Sequence, residues 1–172
     1  KMLSTKELYK YIISKIKSIY DEQESSSIAF VVLENLGISK QDYVLNENRN
    51  YDINKLDKII NELCLNRPIQ YILEEEWFYD RTFFVDENVL IPRPETEELC
   101  KLVIDKFKGE KEVNILDIGT GSGCIPITLK LELPNAKITT LDVSKKALQT
   151  AKTNAKALKA DIQFLDHNIL KD

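Results

Sequence analysis

The chain has 172 residues, of which 43% are hydrophobic and 30% charged, and its formal net charge is −4. That length holds one domain or two small ones, with the composition of a globular protein. No apolar run approaches the roughly 20 residues of a bilayer span, and the N-terminal KMLSTKELYKYI has no secretory apolar core, so no membrane partner and a cytoplasmic location are expected. Residues 1–73 carry 10 basic and 10 acidic side chains and residues 74–172 carry 14 and 18, so neither part has the basic excess of a nucleic-acid binder. Cys64, Cys100 and Cys124 lie far apart without a CxxC pair and His167 is the single histidine, which predicts reduced structural thiols and no metal site.

The first part reads as a small helical bundle. Ser4 and Glu7 form a capping box ahead of Leu8, Ile12, Ile16 and Ile19 at helical spacing. A second helix is predicted over Ser27–Leu36, ending at Gly37, and Ser39 with Asp42 opens a short third. Asp52 caps a fourth, whose Ile53, Leu56, Ile60 and Leu63 share one face, with Pro68 beyond its end. Next, EWFYDRTFFVDENVLIP reads as an aromatic β-hairpin turning at Asp80 and Arg81, a hydrophobic linker between domains. In IPRPETEEL, Pro92 and Pro94 stiffen the chain around Arg93, and a helix follows over Glu95–Phe107 with Glu95, Glu97 and Glu98 in its first turn, where negative charge is favourable.

The apolar run from Val113 to Ile118 predicts a parallel strand buried on both faces. It leads into Asp117–Gly123, DIGTGSG, followed by a helix over Ile125–Leu133 with Pro126 in its first turn. Ala136–Leu141 is a second strand, ending at Asp142. Ser144 then caps a helix with Leu148, Ala151, Ala155 and Leu158 inward, and Asp161–Leu165 is a third strand.

Gly119 and Gly121 suit positive φ and leave room for a ligand, and Gly123 suits close packing of the next helix against the strand. Asp142 lies about 20 residues on, at the end of the next strand, where such folds place a carboxylate on ribose hydroxyls. The spacing is GxGxG rather than the dinucleotide GxGxxG, Asp117 opens the turn, and no basic residue intervenes before Lys130. A carboxylate there repels a phosphate and attracts a sulfonium, which favours S-adenosylmethionine over a nicotinamide or flavin nucleotide. Cys124, directly after the turn, reads as a small core residue.

Taken in order, FYDRTFFV at 78–85, IPRPET at 91–96 and DIGTGSGCI at 117–125, behind a helical domain of this size, resemble the HemK family. Its members are glutamine methyltransferases of peptide-chain release factors. The resemblance implies an α/β fold: a helical substrate-recognition domain (1–73), a β-hairpin linker (74–94) and the first part of a Rossmann-like S-adenosylmethionine-dependent methyltransferase domain (95–172). It implies that Gly119, Thr120, Gly121, Ser122 and Gly123 line the methionine part of the cofactor, that Asp117 supports the turn and that Asp142 binds the ribose. Asn168 and Ile169, with Asp166 as a shifted alternative, correspond to the adenine-reading positions. Relatives carry an Asn-Pro-Pro-Tyr motif that is absent here, so no catalytic residue, a truncated sheet with the third strand as an exposed edge, and no activity alone are expected. The full-length protein is expected to be a monomer that meets release factors and not nucleic acid. The alternatives are an amino-methyltransferase acting on nucleic acid, and a non-catalytic helical module with a relic cofactor site.

Overall fold

A computed structural model describes residues 3–171; Lys1, Met2 and Asp172, which the outer domain limits include, lie outside the described residues. The chain divides into two compact units, with the break between Leu73 and Glu74.

The first unit is helical: α1 (Thr5–Ile16), α2 (Glu22–Asn35), α3 (Lys40–Leu45), α4 (Ile53–Cys64) and α5 (Ile69–Leu73). The capping box expected at Ser4 with Glu7 forms, and Ser39 with Asp42 makes a second one at the start of α3. Leu8, Ile12 and Ile16 of α1 are fully buried against Ile28, Ala29, Val32 and Leu33 of α2 and Leu56, Ile59, Ile60 and Leu63 of α4. Four details differ from expectation. α2 begins five residues early because the Asp21 carboxylate accepts from Glu24 N at 2.8 Å, while Ser25 and Ser27 donate back to the Tyr20 and Gln23 carbonyls and so fit inside a helix. Ile19 lies past the end of α1 and is exposed. Ile53, in the first turn of α4, is also exposed, and Ile59 takes the inward place. Pro68 does not simply follow a helix: its carbonyl accepts from Tyr71 and Ile72, opening α5, where a proline's fixed φ is already helical.

Asp42 holds the α3 corner together. Its carboxylate accepts from Ser39 N and Ser39 Oγ at 2.8 and 2.7 Å and from Arg49 Nε at 2.9 Å, and its carbonyl accepts from Thr5 Oγ1 at 3.0 Å. The Ser39 hydroxyl and N–H, and then Arg49, bring its pKa down from 3.8 to about 2. A carboxylate with a depressed native pKa stabilises the fold above its unfolded value and loses that contribution as pH falls toward the native one. Acid titration is therefore expected to weaken the helical unit between about pH 4 and 2, with Asp42→Asn flattening that part of the curve of urea midpoint against pH; an unchanged slope in the variant would exclude Asp42 as the source.

The second unit begins with the hairpin β1 (Glu75–Phe78) and β2 (Arg81–Phe84), antiparallel with Phe78 opposite Arg81. The turn residues are Tyr79 and Asp80, not Asp80 and Arg81. Both have positive φ, 47° and 58°, as a two-residue turn matched to strand twist requires. Phe78 and Phe83 meet edge to face at 6.0 Å and are buried in the core of this unit, which makes the hairpin an integral part of it rather than a linker. Tyr79 N donates to Glu97 at 2.8 Å, so Glu97 has a partner beyond the helix terminus that accounts for Glu95 and Glu98. Arg81 pairs with Glu132 at 2.5 Å.

Helix α6 (Glu95–Phe107) leads to a three-stranded parallel sheet of β3 (Val113–Ile118), β4 (Ala136–Asp142) and β5 (Gln163–Asp166), ordered β3-β4-β5. The crossovers are α7 (Cys124–Glu132) and α8 (Lys145–Leu158). This is the expected Rossmann-like α/β arrangement. β3 is not buried on both faces: Leu116 and Ile118 are 56% and 53% exposed, because no element among the described residues covers that side. β3 as well as β5 is an edge of this sheet.

Candidate cofactor site

Parallel strands put their carboxyl ends on one side of a sheet, and here that side carries both aspartates. Asp117 pairs in register with Thr140, and Asp142 with Asp166. Between them runs the turn, with φ of 83°, 53° and 82° at Gly119, Gly121 and Gly123. Its backbone is tied to the neighbouring strand, since Gly119 N and Thr120 N donate to the Leu141 carbonyl at 2.8 and 3.2 Å, and it closes on itself where Gly123 N donates to the Thr120 carbonyl at 2.8 Å.

The glycines have two different jobs. A Cβ built on Gly119 or Gly121 meets nothing within 4 Å, so these positions face open space. A Cβ on Gly123 lies 2.9 Å from Ile127 Cδ1 and 3.1 Å from Ala151 Cβ. The close approach at Gly123 is thus to α8 and the first turn of α7, not to the strand.

Asp142 is half-buried, and its carboxylate accepts from Gly121 N at 3.1 Å and Ser144 N at 2.8 Å. A carboxylate has about four lone-pair sites, so two remain for ligand hydroxyls. Asp117 accepts from Thr140 Oγ1 at 2.5 Å. Burial raises its pKa, the Thr140 and Thr120 hydroxyls oppose the rise, and the Asp142 charge adds to it. The buried Thr120 Oγ1 is near enough to act on Asp117 yet makes no hydrogen bond of normal geometry. A carboxylate held with a raised pKa in a half-buried turn gains from a cation brought beside it.

These features fit a nucleoside cofactor with a cationic centre: open space before Gly119 and Gly121, a carboxylate with spare acceptor sites, and a second one favouring positive charge. Beyond β5, Asn168 Oδ1 accepts from Leu170 N and its carbonyl from Lys171 N, so this residue caps a tight turn, with Ile169 exposed beside it. Asp166 pairs with Lys145 at 3.4 Å, and His167 is exposed. Cys124 is buried in the core, as is Cys100; burial pushes their thiols up to about 11 and 12. Arg93 is exposed and makes no ion pair among the described residues, and no cluster there has the ligands for a metal.

Among the buried polar residues that the sequence pattern did not single out, one bridges two elements. Asn154 of α8 is 2% exposed and hydrogen-bonds both the hairpin and the glycine turn. Its signal was positional, since it lies three residues past Ala151 and seven past Ala147 on the inward face.

A glycine turn and a carboxylate at the ends of adjacent parallel strands are the layout of a nucleoside-binding Rossmann-like domain, and residues 93–172 match the family model for the methyltransferase small domain. Over most of its length the chain is similar to proteins named release factor glutamine methyltransferase, in line with the resemblance drawn from its motifs. It is 43% identical over 166 residues to the one from Flavobacterium psychrophilum, covering 92% of this chain and 58% of that protein. It is 36% identical over 180 residues to the one from Chlorobaculum tepidum, covering 99% and 61%, and 48% identical over 106 residues to the one from Bacillus cereus, covering 60% and 38%. The chain thus spans less than two thirds of the length of these relatives.

Proposed function

We propose that this chain holds S-adenosylmethionine as part of an enzyme that methylates the side-chain amide of a glutamine in a peptide-chain release factor. The observation that carries the reading is the open glycine turn set beside the Asp142 carboxylate, in a chain whose relatives over nearly its whole length bear that name. When bound, the cofactor supplies an electrophilic methyl group on a sulfonium sulfur. The residues of this chain bind and orient: Gly119, Thr120, Gly121, Ser122 and Gly123 line the methionine part, Asp142 takes the ribose hydroxyls, and Asn168 and Ile169 lie toward the adenine. Asp117 steadies the turn through Thr140 and contributes negative potential near the cation. An amide nitrogen is a poor nucleophile because its lone pair is delocalised into the carbonyl, so the reaction depends on placing the two reactants in line. The helical unit serves as the recognition module for the release factor.

The test is transfer of a labelled methyl group from S-adenosylmethionine to purified release factor by the protein that carries this chain, with the modified residue mapped by mass spectrometry. Label on a glutamine supports the reading; label on RNA or DNA overturns it in favour of a nucleic-acid amino-methyltransferase. For the site itself, Asp142→Ala is expected to weaken binding of S-adenosylmethionine by about 1–3 kcal/mol, the usual cost of removing charge-assisted hydrogen bonds. Calorimetry giving the same affinity in the variant removes the ribose assignment.

A further inference from the structure

We infer that Asn154 is a positioning residue for the cofactor turn, fastening its Ser122 carbonyl to the edge of the β-hairpin. The proposal rests on the reading that the glycine turn holds S-adenosylmethionine. It stands on three hydrogen bonds from one buried side chain. Asn154 Oδ1 accepts from Phe84 N at 2.7 Å, and its Nδ2 donates to the Phe84 carbonyl at 2.9 Å and to the Ser122 carbonyl at 2.8 Å. Both amide hydrogens and the amide oxygen are used, and only one orientation works. Turning the amide over would set Oδ1 against two carbonyl oxygens and Nδ2 against an N–H.

With the Phe84 peptide groups the Asn154 amide pairs as a neighbouring strand would, by one accepted and one donated bond. Its second N–H then reaches the turn. Ser122 is itself 2% exposed, so its carbonyl has no water to fall back on. The turn is consequently pinned from two sides: Asp142 accepts from Gly121 N and Asn154 donates to the Ser122 carbonyl. Those two bonds fix the peptide planes before Gly121 and after Ser122, where glycines on either side would otherwise let the backbone rotate. Phe84, the far anchor, is held in turn by the hairpin, whose Tyr79 N and Arg81 are bonded to Glu97 and Glu132. Displacement of β2 therefore has a direct mechanical route to the surface that meets the cofactor.

Asn154→Asp keeps the shape and the acceptor but loses both donors, and Leu148→Ala in the same helix serves as a control for general destabilisation, since Leu148 is buried and bonds neither element. At a temperature where circular dichroism shows all proteins folded, calorimetry is expected to show S-adenosylmethionine binding weakened about tenfold or more in Asn154→Asp and nearly unchanged in Leu148→Ala. Amide resonances of Gly121 to Cys124 in a ¹H–¹⁵N spectrum are expected to move in the first variant and stay in the second. Equal affinities and unmoved turn resonances in Asn154→Asp overturn the proposal, as does an equal loss in the two variants. Should Asn154→Asp fail to fold, Asn154→Ala removes the same bonds without setting a charge against two carbonyls, and the same outcomes apply. Absence of binding in the unaltered protein would instead refute the cofactor reading, while the turn resonances still decide whether Asn154 positions Ser122.

Discussion

Gly123→Ala is expected to destabilise the second unit by about 2–5 kcal/mol. Two causes add. A residue other than glycine at φ 82° costs about 1–2 kcal/mol, and forcing a methyl into a packed core costs about 1–3 kcal/mol. The new Cβ would sit 2.9 Å from Ile127 Cδ1 and 3.3 Å from the Ala151 Cα, and the latter is backbone that cannot turn aside as a side chain does. Gly121→Ala is the matched comparison. Its Cβ meets nothing within 4 Å, so only the backbone cost applies, about 1–2 kcal/mol, while the methyl projects into the space assigned to the ligand. Urea unfolding should separate the two by stability, and binding of S-adenosylmethionine by the folded proteins should be lost at Gly121. Equal stability losses would show that α8 yields at Ala151.

Phe83→Ala is expected to cost about 3–5 kcal/mol, the range for removing a fully buried aromatic side chain. Phe83 contacts Phe78 edge to face and packs in the same core as Cys100, Ile104 and Ile127, so the deletion removes the hairpin's hold on the unit as well as apolar burial. Hydrogen exchange should show the Val85 amide, which donates to Glu74 across the hairpin, losing protection along with the global transition. A loss below about 1 kcal/mol would mean that the surrounding side chains collapse into the space.

Much of the second unit was legible because its backbone needs particular residues. Three glycines at positive φ, a strand before them and an aspartate after the next strand leave few alternatives, and the elements from Glu95 onward fall within a few residues of their expected bounds. Elements closed by side-chain bonds were harder. The start of α2 depends on Asp21 and on serines that satisfy themselves against carbonyls, which composition alone reads as loop. Asn154 carried only a positional signal in a helix rich in lysine, threonine and alanine, because a polar residue is ordinarily at the surface, and only tertiary structure shows what its amide meets. The exposure of Leu116 and Ile118 was likewise beyond reach, since an apolar run states what a strand can bury and not what lies over it.

The two backbone bonds to Asp142 have a kinetic and entropic consequence for recognition. With Gly121 N and Ser144 N held on its separate oxygens, the carboxylate is already confined to one rotamer before a ligand arrives. The freezing of such a side chain ordinarily subtracts about 0.5–1.5 kcal/mol from an association, and here folding has met that cost in advance. On the proposed ribose assignment, the sugar would dock against a rigid receptor, with no side-chain search between encounter and capture.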